Sequence, residues 1–390
     1  MTGGREALRP YARAWFCYFA AMGVFSLYAP LWFDRLGLSA LAIGAIASLQ
    51  SWTRVFAPYS WAWIADHSNR RPQLLQLAGV LSAASALALA LTGRWGMSAV
   101  SLCVAVLFIA NGAVMPLTEA SLAHHLNMGS GQGGAQYGRT RVWGTIGFML
   151  SVTVFGVVLQ ALGLDAWPWL VFAMWVLLAV ALYMLPATTD PPHAEAAATG
   201  ALQVLRRPEV AWFFASVFLV VLAHTSIYAF FSLFMASHGA EKSLIGLLWT
   251  VGLVVEMAFF WYQGHWFDRL SWHGWLTLAG VTAALRFALM ALSQGHVGVL
   301  ALTQLTHAVT FAAQHAACIA LVTRYFPGRL RGRGQALYST IGYGASGVVG
   351  GVAGGAMIER WGFAAMFWAA SAAALASAAC AVRSRRCAAA

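Results

Sequence analysis

Twelve apolar runs, each long enough to form a helix across a bilayer, alternate with short polar connections along this chain. They cover residues 11–33, 38–64, 73–92, 97–123, 140–162, 167–186, 209–236, 243–266, 273–292, 297–320, 335–357 and 362–382. A transmembrane helix needs about 20 predominantly apolar residues. The Gly and Pro inside many runs are tolerated better in lipid than in water. One connection is longer. Residues 187–208 read Ala-Thr-Thr-Asp-Pro-Pro-His-Ala-Glu, then small residues, then Arg206-Arg207-Pro208, and they divide the runs six and six. The predicted fold is all-α and integral to a membrane. It has two pseudo-symmetric six-helix bundles, 1–186 and 209–390, joined by the linker 187–208.

The two halves repeat. Ile43-Gly44 in the second run matches Ile245-Gly246 in the eighth, 202 residues on. At the same offset Arg54 corresponds to Glu256 and Asp66 to Asp268. Further along, Thr145-Ile146-Gly147 matches Thr340-Ile341-Gly342 at an offset of 195. An offset of 196 sets Glu119 opposite His315. Repeated six-helix halves are one architecture of secondary transporters, which bind their solute near the bilayer midplane.

Composition narrows the class further. The chain is 61% hydrophobic and 9% charged over 390 residues, against roughly 25% charged in soluble chains. A disordered chain, a secreted disulfide scaffold and a cytosolic enzyme are excluded. The net charge of +11 is explained by where the cations fall. With both termini inside, the cytoplasmic set is Arg5, Arg9, Arg13, Arg70, Arg71, Arg139, Arg141, Arg206, Arg207, Arg269, Arg324, Arg329, Arg331, Arg333, Arg383, Arg385 and Arg386. The other side holds only Arg35, Arg94, Lys242 and Arg360, and Arg54 and Arg286 fall within runs. This asymmetry orients the chain with N- and C-termini cytoplasmic and needs no nucleic-acid partner. The expected setting is a bacterial inner membrane, crossed many times by a protein working as a monomer. The polar start, Met1 to Pro10, does not read as a signal peptide. The five cysteines are scattered without a Cys-x-x-Cys pair, so no metal or redox centre is expected. A phosphate-cradling Gly-x-x-x-x-Gly-Lys loop is missing. The chain reads as neither an enzyme nor a cofactor protein, and its partners are protons, a small solute and lipid. Energy comes from an ion gradient or from the solute's own gradient.

Two loops carry a recognisable pattern. The first has Ala62, Asp66, His67, Ser68, Asn69, Arg70 and Arg71; the second has Gly264, Asp268, Arg269 and Ser271. Both resemble the Gly-x-x-x-Asp-Arg-x-Gly-Arg-Arg loop of the major facilitator superfamily. The first departs with Ala62 and Asn69 at glycine positions, and the second lacks the final basic pair. The resemblance implies a cytoplasmic gate of Asp66, Arg70, Arg71, Asp268 and Arg269.

A narrower likeness rests on four segments. These are Tyr137-Gly138-Arg139-Thr140-Arg141-Val142-Trp143-Gly144-Thr145-Ile146-Gly147-Phe148; Ile245-Gly246 with Trp249 and Glu256; His307 with Thr310, Phe311 and His315; and Arg331-Gly332-Arg333-Gly334-Gln335-Ala336-Leu337-Tyr338. Together they resemble the phenylpropionate permease group of that superfamily, which is related to lactose permease-type proton symporters. In such symporters a Glu on the fourth segment and an Arg on the fifth bind solute. An acid on the eighth, an Arg on the ninth and a His on the tenth couple the proton. Glu119, Arg141, Glu256, Arg286 and His315 or His307 match those types. The acid that follows the tenth-segment His by one turn is absent here, where Ala and Cys318 stand.

Physical cost points to the same residues. An ionisable group at the centre of a membrane helix costs at least ~2.5–3.5 kcal/mol, so it faces a cavity and pairs. Glu256 is the first choice for proton carrier, because a low dielectric disfavours a bare carboxylate. His315 and His224 come next, since imidazole changes charge near neutrality. His307 and Arg286 complete the coupling candidates, with Arg54 or Arg286 as ion-pair partners for Glu256. Arg54, Glu119, Arg141, Trp143, Tyr228 and Phe311 are the substrate-binding candidates; Tyr228 lies one turn after His224 on the same helical face. Trp32, Trp61, Trp63, Trp249 and Trp261 read as interfacial belt or packing. Segment-11 glycines 344, 347, 350, 351, 354 and 355 read as a smooth packing surface. Proton-coupled import of a small organic solute follows, an aromatic carboxylate by resemblance. A sugar or nucleoside symporter, a drug or metabolite antiporter and a non-transporting sensor remain alternatives.

Overall fold

The computed structural model describes residues 3–68, 70–126, 133–186, 201–262 and 267–389. Among them there is no strand. The helices are α1 (Gly3–Arg35), α2 (Ala40–Ser68), α3 (Arg71–Thr92), α4 (Met97–Asn111), α5 (Val114–His125), α6 (Gly133–Leu162), α7 (Trp167–Tyr183), α8 (Ala201–Leu205), α9 (Pro208–Ser237), α10 (Lys242–Tyr262), α11 (Trp272–Leu292), α12 (Val297–Leu305), α13 (Gln314–Tyr325), α14 (Arg331–Leu337) and α15 (Ser346–Ala389). Two π-helical turns are inserted, Ala308–Ala313 before α13 and Tyr338–Ala345 before α15.

Ten helical stretches among the described residues are long and apolar enough to cross a membrane. The ten do not include α2, whose 29 residues carry Arg54 and Asp66 among Ser, Gln and Trp. The last stretch, Arg331–Ala389, is broken at Gly362, whose φ of 79° and ψ of 175° lie outside any helix.

Several boundaries differ from the hydropathy pattern. α1 begins at Gly3, so Arg5, Arg9 and Arg13 are helical rather than part of a polar tail. α6 begins at Gly133 and α14 at Arg331, each ahead of the apolar run. Long basic side chains can carry their charge to the interface while the backbone stays helical, so polarity marks the edge of lipid rather than the end of a helix. The run 97–123 is divided between Asn111 and Val114. Of the expected linker, residues 187–200 lie outside the described residues, and Ala201–Leu205 forms α8. Asn69 and Gly264 of the two loop motifs also lie outside them.

The chain forms two compact units. The first is Met1–Leu38 with Thr53–Ala194 and Glu241–Gly246; the second is Ser39–Trp52 with Glu195–Ala240 and Leu247–Ala390. In the first, α1 packs along α6 and α7. Its core is aromatic: Trp167 lies 5.1 Å from Trp32 and 5.5 Å from Phe25, and its indole N–H donates to the Val24 carbonyl at 2.9 Å. Trp32, expected as belt or packing, is therefore packing in the core. At one end Arg35 and Arg94 both pair with Asp165, at 2.8 and 3.1 Å.

In the second unit α9 packs along α15, and α11 packs on α15 as well. Phe213, Phe214, Trp275 and Phe326 centre one core cluster. The first half of α2 lies on α15, backbone against backbone. A Cβ on Gly44 would overlap the Gly351 carbonyl, and one on Gly355 would overlap that of Ala40. Ser48 Oγ donates to the Val348 carbonyl at 3.0 Å, and Glu359 accepts from the Leu41 amide at 2.9 Å. Gly246, the sequence repeat of Gly44, makes the corresponding approach in the first unit, against the Val152 carbonyl. Bare backbone at such contacts lets membrane helices meet closely.

Candidate functional site

Each unit gathers part of the predicted site. In the second, α10 presents Trp249, Gly252 and Glu256 at helical spacing. Gly252 leaves room for its neighbours: a Cβ there would come within 3.4 Å of Gln304 Oε1 and 3.5 Å of His307. Glu256 Oε2 lies 3.3 Å from His307 Nε2. The other ring nitrogen, Nδ1, lies 3.3 Å from Arg286 Nη1. The same guanidinium donates to Thr310 Oγ1 at 3.1 Å and to Gln304 Oε1 at 3.0 Å. Arg286 is 1% exposed. Arg286, one of the two ion-pair partners weighed for Glu256, thus reaches it through His307, which lies between the two charges.

The tautomer follows from the donors. A guanidinium has no acceptor, so Nδ1 must accept from Arg286. The ring proton then sits on Nε2 and donates to Glu256.

The chain of contacts continues through rings. His307 stacks on Phe311 at 5.3 Å and 4°, and Phe311 stacks on His315 at 6.2 Å and 12°. Over eight residues a regular α-helix drifts about 80° around its axis. The π-helical turn takes up one residue and returns the three rings to one column. His315 Nδ1 meets Tyr338 Oη at 3.0 Å, and Tyr338 meets Tyr343 Oη at 3.3 Å. Residues five apart lie about 140° apart on an α-helix; the second π-helical turn aligns these two. Such turns are frequent at functional sites.

His224 on α9 lies within electrostatic reach of Arg286 and His307, and its hydrogen bond runs to its own helix. Its Nδ1 donates to the Val220 carbonyl at 2.7 Å, and its ring packs edge-on against Phe287 at 5.4 Å. Tyr228, one turn on, lies 5.8 Å from Trp249 and 6.5 Å from Phe311. Trp249, expected as belt or packing, faces the predicted site residues.

In the first unit Arg141 sits over two rings of α1, 4.2 Å from the centre of Phe19 and 5.1 Å from that of Trp15. Glu119 accepts from Tyr137 Oη at 3.2 Å. No ion pair joins Glu119 to Arg141 among the described residues, although each lies in the other's field. Tyr18 stands within electrostatic reach of Arg54, Arg141 and Glu119. Glu119 and His315, matched by the internal repeat, each meet a tyrosine of the helix that follows. Trp143 is 48% exposed.

Of the predicted gate, Asp66 pairs with the buried Arg71 at 3.2 Å across the α2–α3 junction, and Arg70 is exposed. Asp268 and Arg269 occupy an exposed 3₁₀ turn, Phe267–Arg269.

Gln304, Tyr343, Trp15, Phe19 and Tyr18 were not legible as site residues. Gln304 had a signal: polar residues 303, 304, 307, 310 and 314 recur inside an apolar run. Tyr343 had none, because only the π-helical turn brings it to His315.

A helical bundle with buried charges held inside its units is the build of a membrane transporter, and comparison with known proteins agrees. The probable 3-phenylpropionic acid transporter of Escherichia coli K12 is 25% identical over 382 residues, covering 95% of this chain and 96% of that one. The maltose permease of Geobacillus stearothermophilus is 26% identical over 362 residues, 90% and 87% of the two chains. The crystal structure of nucleoside transporter NupG has a TM-score of 0.76 at 17% identity, over 98% of both chains. That of peptide transporter POT in complex with sulfate has 0.80 at 13% identity, over 97% and 94%. The fold and these likenesses define a transporter of the major facilitator type. The chain belongs to the MFS_1 like family, whose profile matches residues 8–369.

Proposed function

We propose that this transporter imports a small organic solute together with protons, and that an aromatic carboxylate such as 3-phenylpropionate is its substrate. The observation that carries the reading is His307, held between Arg286 and Glu256. While Nδ1 is bare it occupies one arm of the guanidinium. Once a proton arrives on that nitrogen, two donors face each other and the contact breaks. The imidazolium then pairs with Glu256, and the freed guanidinium arm is available to an anion. Proton and carboxylate therefore favour each other's binding, which is the requirement for symport rather than exchange. The likeness to the E. coli transporter supports the aromatic acid.

The test is uptake of labelled 3-phenylpropionate into proteoliposomes with and without an inward proton gradient. Accumulation that persists after the gradient is collapsed would defeat the coupling. A carbohydrate substrate is the second reading, supported by the maltose permease likeness; labelled maltose in the same vesicles decides between them.

The same proposal includes topology. Twelve crossings with both termini cytoplasmic, in a bacterial inner membrane, accommodate α2 as a polar spanning helix and α15, broken at Gly362, as the end of the eleventh crossing and all of the twelfth. The cation asymmetry supports the orientation. Single cysteines introduced at positions 94 and 206, probed with an impermeant thiol reagent on whole cells, should label only at 94.

A further inference from the structure

We propose that His224, Tyr228 and Trp249, with Phe311, form an aryl-carboxyl subsite beside the relay. Tyr228, Trp249 and Phe311 receive the solute's ring, and His224 and Trp249 its carboxyl group. The inference rests on the transport reading above and names the groups that recognise the solute.

Exposure is the first observation. From Phe213 to Met235, α9 is buried or half-buried at every position except Tyr228, which is 37% exposed. The exposed ring is amphipathic and is flanked by Trp249 at 33° and by Phe311 at 77°, so flat and edge contacts open on one place. Such surfaces take up a planar ring by offset stacking and edge-to-face contact.

Unsatisfied polar atoms are the second. His224 Nε2, Trp249 Nε1 and Arg286 Nε are buried without a hydrogen-bond partner. His224 and Arg286 are 4% and 1% exposed. Buried polar groups are nearly always paired, and each orphan calls for an explanation. Their chemistry is definite. Nδ1 of His224 donates to Val220, so its Nε2 is an acceptor. The indole and guanidinium N–H groups are donors. One acceptor and two donors beside three rings match a carboxylate plus one proton. The two oxygens accept from Trp249 and Arg286. The proton bridges His224 and the carboxyl group, whichever of them holds it. An amine offers only donors and satisfies one atom of the three. A disaccharide carries far more hydroxyls than this face has partners for.

The experiment is equilibrium binding by calorimetry to the purified full chain, with no gradient present. The probes are 3-phenylpropionate, 3-cyclohexylpropionate, 3-phenylpropanol and maltose. 3-Phenylpropionate should bind tightest, and replacing its carboxyl group by an alcohol should weaken it at least tenfold. Trp249→Phe keeps the ring and removes the N–H. It should weaken 3-phenylpropionate about tenfold, the scale of one hydrogen bond to a charged group, and weaken 3-phenylpropanol less, because its hydroxyl is a neutral acceptor. Tyr228→Ala should weaken both aryl ligands and spare the cyclohexyl acid. Equal 3-phenylpropionate affinity in the wild type and Trp249→Phe overturns the subsite, as does tighter binding of maltose or no binding of 3-phenylpropionate. An unaltered thermal midpoint of Trp249→Phe excludes a folding defect. If this binding pattern holds while vesicles show no proton-driven uptake, the transport reading fails and the subsite stands.

Discussion

His307 touches Glu256 with one ring nitrogen and Arg286 with the other, both at 3.3 Å. A carboxylate and a guanidinium that do not meet are thus joined through a side chain able to change its proton count. Glu256→Gln keeps the size and hydrogen-bonding ends of the residue but cannot stabilise an imidazolium. Proton-driven accumulation should fall to the level of passive equilibration. Exchange of labelled for unlabelled solute, measured without a gradient, should remain within about threefold of the wild type. Full concentrative uptake by this variant would remove Glu256 from the coupling.

Arg286 holds three partners with a planar fork, and Lys is a point charge on a flexible stem. Arg286→Lys should keep the cation yet leave at least one of His307, Thr310 and Gln304 without its donor. A buried polar group left so costs about 1–3 kcal/mol. The expected outcome is a lower thermal midpoint in detergent together with at least about tenfold weaker proton-driven accumulation. A variant with wild-type accumulation would show that the charge alone suffices.

The glycines make a paired prediction. Gly44→Ala and Gly351→Ala each set a methyl group into an opposing backbone, which cannot move aside as a side-chain tip can. Both should lower the yield of monodisperse protein and the thermal midpoint. Gly252→Ala meets its nearest atom at 3.4 Å and should be stable. Measurement by size-exclusion chromatography and thermal unfolding separates backbone contact from a general intolerance of these helices to alanine, which alanine's high helix propensity argues against.

Arg141 and Trp143 lie two residues apart with different surroundings. The guanidinium is braced on Phe19 and Trp15, whereas Trp143 is half in the open. An aromatic-braced cation is worth about 0.5–2 kcal/mol. Arg141→Lys should therefore lower the thermal midpoint, and Trp143→Ala should leave it unchanged. The reverse ranking in thermal unfolding would show that the two rings do not brace the guanidinium.

Much of the helix pattern could be read from the sequence, because lipid forces backbone groups to pair within each segment. Glu256, Arg286 and His307 stood out for a related reason: a charge within an apolar run needs a partner. The geometry joining them did not. His307, Phe311 and His315 form one column only because a π-helical turn interrupts the 3.6-residue repeat, and nothing in residues 308–313 announces that turn. For Trp32 and Trp249 the sequence leaves belt and packing open, since an indole in a hydrophobic run has the same appearance in a core, at a site or at an interface. Their surroundings are set by residues far away in the chain: Trp167 for Trp32, Tyr228 for Trp249.

The contact of α2 with α15 also sets a timetable. Leu41 and Glu359 are 318 residues apart, and Ser48 and Val348 are 300 apart. At a synthesis rate of about 5–20 residues per second, the early strip leaves the ribosome roughly 15–60 s before its glycine partner exists. During that interval its exposed carbonyls and small side chains must be shielded by lipid or by the insertion machinery. Residues 39–52 wait longest for a partner near the end of the chain, and slowed translation of the last segments should prolong that interval.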